Sequence, residues 1–209
     1  MRNFKRLVKG IKEVKVSKEK FVTKLEEDES IYNVKEVLPG SREKLLDAIA
    51  KSAYNNDRVY EGCTRSVLAA LNEHLHLTSF EGIKECLKAS TALAAGIARM
   101  GEICGALTGG IMAIGLVTGS ERLELFEKYK NTMKLSYILY DRFKERYEAT
   151  RCFEIQEKIF GRHYDFKNEE DSKAWYKDNG LDKCPMVCAT AARMTAEIIL
   201  DIKNRRQAA

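Results

Sequence analysis

Apolar side chains recur three and four positions apart along most of the chain, which is the spacing of one face of an α-helix. After Pro39-Gly40 breaks the pattern, this spacing predicts a helix over residues 42–54 with Ser41 as its N-cap. The residues that face the core in this helix are Leu45, Leu46, Ile49 and Ala53. The polar run at residues 55–57 then indicates a turn or the restart of a helix.

Two further helices are predicted from the same spacing. Gly62-Cys63 leads into the first, and Thr78-Ser79 is a good cap for the second. The first helix has the apolar face Val67, Leu68, Leu71 and Leu75. The second has the smaller face Ile83, Leu87, Thr91, Ala94 and Ala95, which suits packing against a glycine-rich helix.

The segment from Gly101 to Ser120 differs from the rest of the chain because it contains no Asp, Glu, Lys, Arg or His after Glu102. Gly101, Gly105 and Gly109 recur every fourth residue and would form one row on a helix, although each interior glycine costs about 1 kcal/mol relative to alanine. We therefore expect a second helix or a prosthetic group to come so close to Gly105 and Gly109 that any Cβ would collide with it. We expect overpacking to destabilise the protein if Gly109 is replaced by leucine.

Three interpretations of this glycine-rich segment remain open. Its 18-residue uncharged run just reaches the length of a membrane span, but it is only weakly apolar and no second span exists. It is otherwise a buried helix at the centre of a bundle, or such a helix that also presents Cys104 to a cofactor or a redox partner. We expect no stable membrane span.

A long charged helix is predicted over residues 121–149, and a single bulky face runs along it. This aromatic stripe consists of Leu123, Phe126, Tyr129, Met133, Tyr137, Tyr140, Phe143 and Tyr147. Side chains with this spacing usually pack into the core of a bundle. The helix is longer than its neighbours, however, so we expect part of the stripe to remain uncovered and to form a homodimer interface. The expected rim of that interface is Glu127, Lys130, Lys134 and Arg142.

The C-terminal third contains two cysteines at expected helix starts. Cys152 begins a short helix after Thr150 and before Gly161, and Cys184-Pro185 makes Cys184 the expected N-cap of the final helix. The segment between them, residues 161–183, is polar and is expected to be irregular. No internal repeat is present.

The bulk composition favours an all-α fold. The 209 residues include only two prolines, and residues 41–209 are expected to form a single helical domain after a charged N-terminal leader, residues 1–40. The net charge of +5 arises from 36 basic and 31 acidic residues, which indicates a solvated surface and no nucleic-acid partner. Basic residues interrupt the N-terminus too often for a secretory signal, so we expect a cytoplasmic protein whose six cysteines are not structural disulfides.

Four cysteines carry the candidate chemistry: Cys63, Cys104, Cys152 and Cys184. Each is expected in or near the first turn of a different helix, where backbone N–H groups lower the pKa of a thiol. Four converging thiolates suit Zn²⁺ or an iron–sulfur cluster. The spacings of 41, 48 and 32 residues match neither zinc ribbons nor ferredoxins, so spacing alone does not decide the chemistry.

The chain nevertheless resembles the C-GCAxxG-C-C group of redox-active proteins over residues 42–202. The resemblance depends on Gly62-Cys63, on Cys104-Gly105-Ala106-Leu107-Thr108-Gly109 at the CGAxxG centre, on Cys152 and on Cys184-Pro185. It implies that these four cysteines are the redox-active or cluster-binding set. Related split-Soret cytochromes c carry an iron–sulfur centre besides their haems, and they also form dimers. The group occurs mostly in anaerobic bacteria and archaea.

Several features depart from that pattern or are explained without it. No C-x-x-C-H sequence is present, so no c-type haem is expected. Cys86 and Cys188 are additional to the pattern; each is read as a small buried hydrophobe, and Cys188 alternatively as a resolving thiol or spare ligand one turn from Cys184. His74 and His76 would point in different directions on a helix and do not form a metal pair. No hydrolase motif is present.

We therefore expect a redox or electron-transfer protein that holds an iron–sulfur cluster of the [2Fe–2S] type on the four cysteines. One alternative is a metal-free thiol–disulfide redox protein that uses the same cysteines. Another is an interaction module with structural zinc. The sequence does not name an enzymatic substrate or the redox partner.

Overall fold

The computed structural model describes the backbone of residues 39–207 and the side chains of residues 41–204. The chain divides into one unit of residues 1–43 and a second of residues 44–209. The described part contains eight α-helices and one 3₁₀ turn, Thr91–Leu93, and no strand. The helices are α1 Pro39–Tyr60, α2 Cys63–Leu75, α3 Phe80–Ala89, α4 Gly105–Thr118, α5 Phe126–Tyr147, α6 Cys152–Phe160, α7 Glu169–Lys177 and α8 Gly180–Gln207. The predicted all-α fold is confirmed, whereas residues 1–38 of the predicted leader lie outside the described residues.

The glycine-rich helix α4 is the centre of the second unit and packs against α2, α5 and α8. A Cβ on Gly109 would lie only 2.6 Å from the backbone oxygen of Thr64 in α2. A Cβ on Gly110 would similarly lie 2.8 Å from Leu139 in α5. The expected close approach is therefore confirmed as contact between helices. Gly101 does not belong to the row, because it precedes α4 in the left-handed conformation, with φ of +75°.

The apolar pattern predicted the buried face of helix α2 completely, but it did not predict where helix α1 ends. All four residues of the predicted face of α2 are fully buried. Helix α1 extends to Tyr60 and does not turn at residues 55–57, because Asn56 and Asp57 are themselves buried and continue its inner face. Pro39 and Gly40 belong to the first turn of this helix, where proline is tolerated.

Helix α3 is shorter than predicted. Ser79 caps it as expected, with its hydroxyl accepting a hydrogen bond from the Gly82 N–H at 3.1 Å. The helix ends at Ala89, however, and the chain then enters a left-handed segment, residues 95–99. Ala95, Ile97, Ala98 and Arg99 all have positive φ there, between 50° and 64°. The small residues at 91–95 therefore do not form a helical face.

Helix α5 only partly follows the prediction for the aromatic stripe. At its C-terminal half Phe143 is fully buried, and Tyr140 and Tyr147 pack against the core. At its N-terminal half Phe126, Tyr129, Met133 and Tyr137 are 61%, 56%, 53% and 64% exposed. Core packing is therefore the wrong interpretation for the N-terminal half, which extends past the 14-residue helix α4.

The C-terminal third contains one helix more than predicted. Helix α6 starts at Cys152 and ends at Gly161, as expected. Residues 161–183 are not wholly irregular, because Asn168 caps helix α7 by accepting a hydrogen bond from the Glu170 N–H at 2.8 Å. Helix α8 begins at Gly180, so Cys184 lies in its second turn and is not its N-cap. Among the described residues, no helix is long and apolar enough to cross a membrane.

Candidate functional site

A cavity of about 800 Å³ lies among α1, α2, α6, α7, α8 and the start of α4. Five of the six cysteines line it, and Cys86 does not. These cavity thiols are Cys63, Cys104, Cys152, Cys184 and Cys188. The structure thus brings all four predicted site cysteines to one cavity although they are far apart in the chain. All six cysteines are free.

Short backbone contacts fix two of the cavity thiols relative to each other. Cys104 is the N-cap of α4 and Cys152 is the first residue of α6. The segments that precede these helices pair antiparallel at Ile103 and Arg151. In this pairing the N–H of Cys104 donates to the Thr150 carbonyl at 2.8 Å, and the N–H of Cys152 donates to the Glu102 carbonyl at 2.6 Å. The helix starts that carry the two thiols are therefore tied together.

The other three cavity thiols come from α2 and α8. Cys63 is the first residue of α2 and follows Gly62, whose φ of +96° favours glycine. Cys184 and Cys188 lie one turn apart on α8, so both can face the same cavity. Cys188 is 1% exposed and belongs to the hydrophobic core as well as to the cavity wall.

The two glycines expected at a cofactor contact lie against α2. A Cβ on Gly105 would collide with Sγ of Cys63 and would lie 2.7 Å from Oγ1 of Thr64. Neither Gly105 nor Gly109 lines the cavity, although Ala106 does. These glycines let α2 and α4 approach, and Gly105 in particular leaves room for the Cys63 side chain.

Backbone N–H groups point at two of the four predicted site cysteines. The N–H groups of Ala106 and Leu107, at the start of α4, lower the pKa of the Cys104 thiol. The N–H groups of Ala95 and Thr64 do the same for Cys63. Ala95 belongs to the left-handed segment, which also lines the cavity through Ala98 and Arg99. This strained backbone therefore forms part of the thiol environment.

Side-chain N–H groups lower the pKa of the other two predicted site cysteines, Cys152 and Cys184. Nε2 of Gln156 donates to Sγ of Cys152 at 3.3 Å, and Oε1 of the same amide accepts from the Tyr164 N–H at 2.8 Å. Gln156 is 1% exposed, so its orientation is fixed by these two contacts. Nε1 of Trp175 is buried without a partner of good hydrogen-bond geometry. The group that it favours is the Cys184 thiolate, whose pKa it lowers.

Burial nevertheless raises the pKa of these thiols by more than the N–H donors lower it. It is the largest cause of the raised pKa of every cavity thiol, and it raises the pKa of Cys104 and Cys152 to about 12. Repulsion between charged forms also contributes, since Cys152 raises the pKa of Cys104 and Cys63 raises the pKa of Cys152. The backbone N–H groups lower the pKa of Cys63 and Cys104, as expected, but desolvation raises it by more.

Asp57 is a cavity residue that the sequence analysis missed. Its side chain is 6% exposed, and Oδ1 accepts from the Ser66 hydroxyl at 3.5 Å. Burial raises the pKa of Asp57 to about 6, while a hydrogen bond from Cys188 lowers it. The available signal was its position four residues after Ala53, which puts a carboxylate on the apolar face of α1.

The remaining candidate metal ligands do not join the cavity thiols. Nε2 of His74 contacts the Ser52 hydroxyl at 2.8 Å, and Nδ1 of His163 contacts Glu157 at 2.9 Å. Neither these histidines nor His76 lines the cavity. Over the described part of the chain, no three His, Cys, Asp or Glu side chains are placed to hold one metal ion between them.

Comparison with known proteins places this arrangement in a family. No curated protein and no solved structure matches the chain. A family model described as "Putative redox-active protein (C_GCAxxG_C_C)" matches residues 61–198. The matched range contains all five cavity thiols and both glycines of the central motif. The chain therefore belongs to the C_GCAxxG_C_C family.

Proposed function

We propose that the protein is an electron-transfer or redox protein that holds an iron–sulfur cluster on Cys63, Cys104, Cys152 and Cys184. The observation that carries the proposal is the donor pattern around these four sulfurs. N–H groups lower the pKa of each of these four thiols, and the contact from Nε2 of Gln156 to Sγ of Cys152, at 3.3 Å, is a hydrogen bond. Hydrogen bonds of this kind stabilise a thiolate and tune the reduction potential of a cluster. When bound, a cluster supplies one-electron chemistry, and the protein supplies its ligands, its donors and its burial.

The fifth cavity thiol has a different environment, which supports a set of four. The Cys188 thiol donates to the Cys63 carbonyl at 4.0 Å, and as a donor it lowers the pKa of the Asp57 carboxyl. A thiol must keep its proton to donate in this way. Cys188 therefore supports the cavity as a thiol, and the four sulfurs with N–H donors are the proposed ligands.

The raised pKa values favour a positively charged occupant over metal-free thiol chemistry. A thiol–disulfide protein needs an accessible thiolate, whereas burial keeps these thiols protonated at neutral pH. Four buried thiolates would carry four negative charges, which the cavity accommodates only with compensating cations. Iron ions provide that compensation. A structural zinc site needs four ligands around one ion, and no three His, Cys, Asp or Glu side chains of the described residues are placed to hold one.

The structure also offers polar atoms that suit a buried prosthetic group. Trp175 lines the cavity, and its buried Nε1 has no partner of good geometry. A buried donor of this kind normally contacts protein, water or ligand. The donor set of four cysteines is the usual one for [2Fe–2S] and [4Fe–4S] clusters, and we propose the [2Fe–2S] type.

Two further proposals concern the setting of this chemistry. We propose a reducing compartment, the cytoplasm, because the six cysteines are free. We also propose that the protein is a homodimer, because the N-terminal half of α5 leaves large apolar side chains exposed. An anaerobic host remains a prediction.

Anaerobic purification tests the proposed cluster directly. We expect visible absorption from the purified protein, with iron and acid-labile sulfide in equal amounts and no stoichiometric zinc. Serine substitutions of each proposed ligand should remove most of the bound iron. Cys86→Ser is the matched control and should retain it, because Cys86 does not line the cavity. Stoichiometric zinc, or a metal-free protein that cycles between dithiol and disulfide after anaerobic reconstitution, would refute the proposal.

A further inference from the structure

The cavity that holds the five thiols is much larger than a cluster requires. Its volume is about 800 Å³. A [2Fe–2S] core adds four atoms to the cysteine sulfurs, and at roughly 30 Å³ for each, the share of a water molecule in the liquid, it fills about 120 Å³. Pockets of about 300–1,000 Å³ usually hold organic ligands. The cavity therefore has room for a second molecule beside the cluster.

This cavity reaches the surface at one end. Asp57, Cys104 and Cys188 line its interior and are buried. Three other lining residues, Glu61, Arg99 and Tyr176, are exposed and form what we call the cavity mouth. A small molecule can thus enter at the mouth and extend towards the buried thiols.

Two arginines converge on the cavity mouth. Nη2 of Arg65, in the first turn of α2, donates to the Glu61 carbonyl at 3.4 Å, and Nη1 of Arg99 donates to the Phe166 carbonyl at 3.2 Å. The Tyr176 hydroxyl donates to the Glu61 carboxylate at 2.8 Å. That hydrogen bond and burial raise the pKa of Tyr176, whereas the nearby Arg99 lowers it. Both guanidinium groups therefore lie around Glu61 and Tyr176.

These two guanidinium groups retain donors for an anion. Each has five N–H groups, and the contacts above are with neutral backbone carbonyls. Within the described residues, neither Arg65 nor Arg99 pairs with a carboxylate. Six other arginines do pair with one: Arg58, Arg122, Arg142, Arg151, Arg162 and Arg193. The positive charge at the mouth is thus unlike that of the other arginines.

The wall next to the arginines is apolar. It consists of small side chains from the segment before α4 and larger ones from the opposite side: Ala92, Ala94, Ala95, Ala98, Ile159 and Phe166. The Phe166 ring packs edge-on against Trp175, with 5.6 Å between the ring centroids. An occupant that suits this wall has an apolar body, and one that suits the arginines has an anionic end.

We propose that the cavity mouth binds a small organic carboxylate, with its carboxylate on Arg65 and Arg99 and its apolar body inside the cavity. A guanidinium group matches the geometry of a carboxylate. A concave site also suits a small molecule better than the surface of a partner protein. The proposal deepens the proposed function and rests on it for the cluster alone, since it gives the cluster a small-molecule neighbour in the same cavity.

Phenylacetate is a suitable probe, because it combines a carboxylate with an apolar ring. We expect isothermal titration calorimetry on the anaerobically purified protein to show binding, and phenylacetamide and acetate to bind at least about tenfold more weakly, since each lacks one of the two features. Trp175 is the single tryptophan of the chain and lines the cavity. Its fluorescence in the reduced, metal-free protein should therefore change when phenylacetate binds.

Substitution of the arginines locates the site. Arg65→Gln and Arg99→Gln should each raise the dissociation constant of phenylacetate about tenfold, because each removes charged hydrogen bonds. Arg122→Gln is the matched control: it makes the same charge change outside the cavity and should have no effect. All three variants should retain the iron of the parent, since none removes a proposed ligand. Circular dichroism checks that the helices are retained.

The outcomes separate this site from the cluster. Absence of phenylacetate binding, or binding that both arginine variants leave unchanged, overturns the site and leaves the cluster standing. Acetate that binds as tightly as phenylacetate overturns the apolar part of the site. Loss of iron from Arg65→Gln and Arg99→Gln would show that these arginines balance the charge of the cluster, which also overturns the proposal. Phenylacetate binding by a parent protein that never holds iron supports the site and overturns the cluster.

Discussion

Replacing Gly109 by alanine isolates the close approach of α2 and α4. The new Cβ would lie 2.6 Å from the Thr64 carbonyl oxygen and 3.1 Å from Cβ of Val67. The first neighbour is a backbone atom in the first turn of the packed helix α2, so it cannot rotate away as a side chain can. Gly115 is the matched control, because it belongs to the same helix and a Cβ there meets nothing within 4 Å.

The two alanine substitutions should change the free energy of unfolding in opposite directions. Both alanines gain up to about 1 kcal/mol of helix propensity. At position 109 overpacking costs about 1–3 kcal/mol, so Gly109→Ala should lower the free energy of unfolding by about 1–2 kcal/mol. Gly115→Ala should raise it by about 0.5–1 kcal/mol. The larger leucine at position 109 should be at least as destabilising as alanine.

Urea unfolding of the reduced, metal-free protein measures both changes without a contribution from bound metal. For a domain of this size the predicted difference between the two variants corresponds to a separation of about 4–10 °C in melting temperature. If Gly109→Ala is as stable as the parent, α2 is not held against α4 as described. If Gly115→Ala is also destabilised, the effect does not come from contact with α2.

Two further substitutions test the buried polar groups of the cavity. Gln156→Leu should lower the free energy of unfolding by about 1–3 kcal/mol, because the Tyr164 N–H loses its acceptor; Gln156→Glu keeps an acceptor and should be milder, and equal losses would contradict this. For Asp57, a pKa raised from 3.8 to about 6 means that the folded state holds its proton more tightly than the unfolded state. The parent should therefore gain up to about 3 kcal/mol of stability relative to Asp57→Asn as the pH falls from 7 to 4, and unfolding curves that run parallel with pH would refute the shift.

The sequence predicted best those elements whose formation depends on local pattern. Helix α2 has a complete apolar face, and Ser79 caps α3 by a contact three residues away. The exposure of part of the aromatic stripe was also predictable, because α5, with 22 residues, is longer than α4, with 14 residues. Convergence of the four cysteines followed from the family motif, since their spacing alone contained no such information.

The remaining features depend on tertiary packing. Residues 95–99 include two alanines that suit a helix by propensity, yet the segment is left-handed, with the Ala98 N–H donating to the Ala92 carbonyl at 2.7 Å and the Glu102 N–H to the Gly96 carbonyl at 3.0 Å. Asn56 and Asp57 have the composition of a turn, and only burial keeps them in α1. The raised thiol pKa values arise from desolvation, which requires knowledge of what surrounds each sulfur.

The position of Cys184 on α8 has a consequence for biosynthesis. Helix α8 packs against α2 and α4, so the cavity is closed by residues that lie more than a hundred positions after Cys63. A ribosome adds residues at roughly 5–20 per second, and the earlier helices leave it first. The nascent chain therefore exposes Cys63, Cys104 and Cys152 for several seconds before their fourth partner exists. Protection of these thiols from oxidation in that interval depends on the cell's reductants and not on the fold.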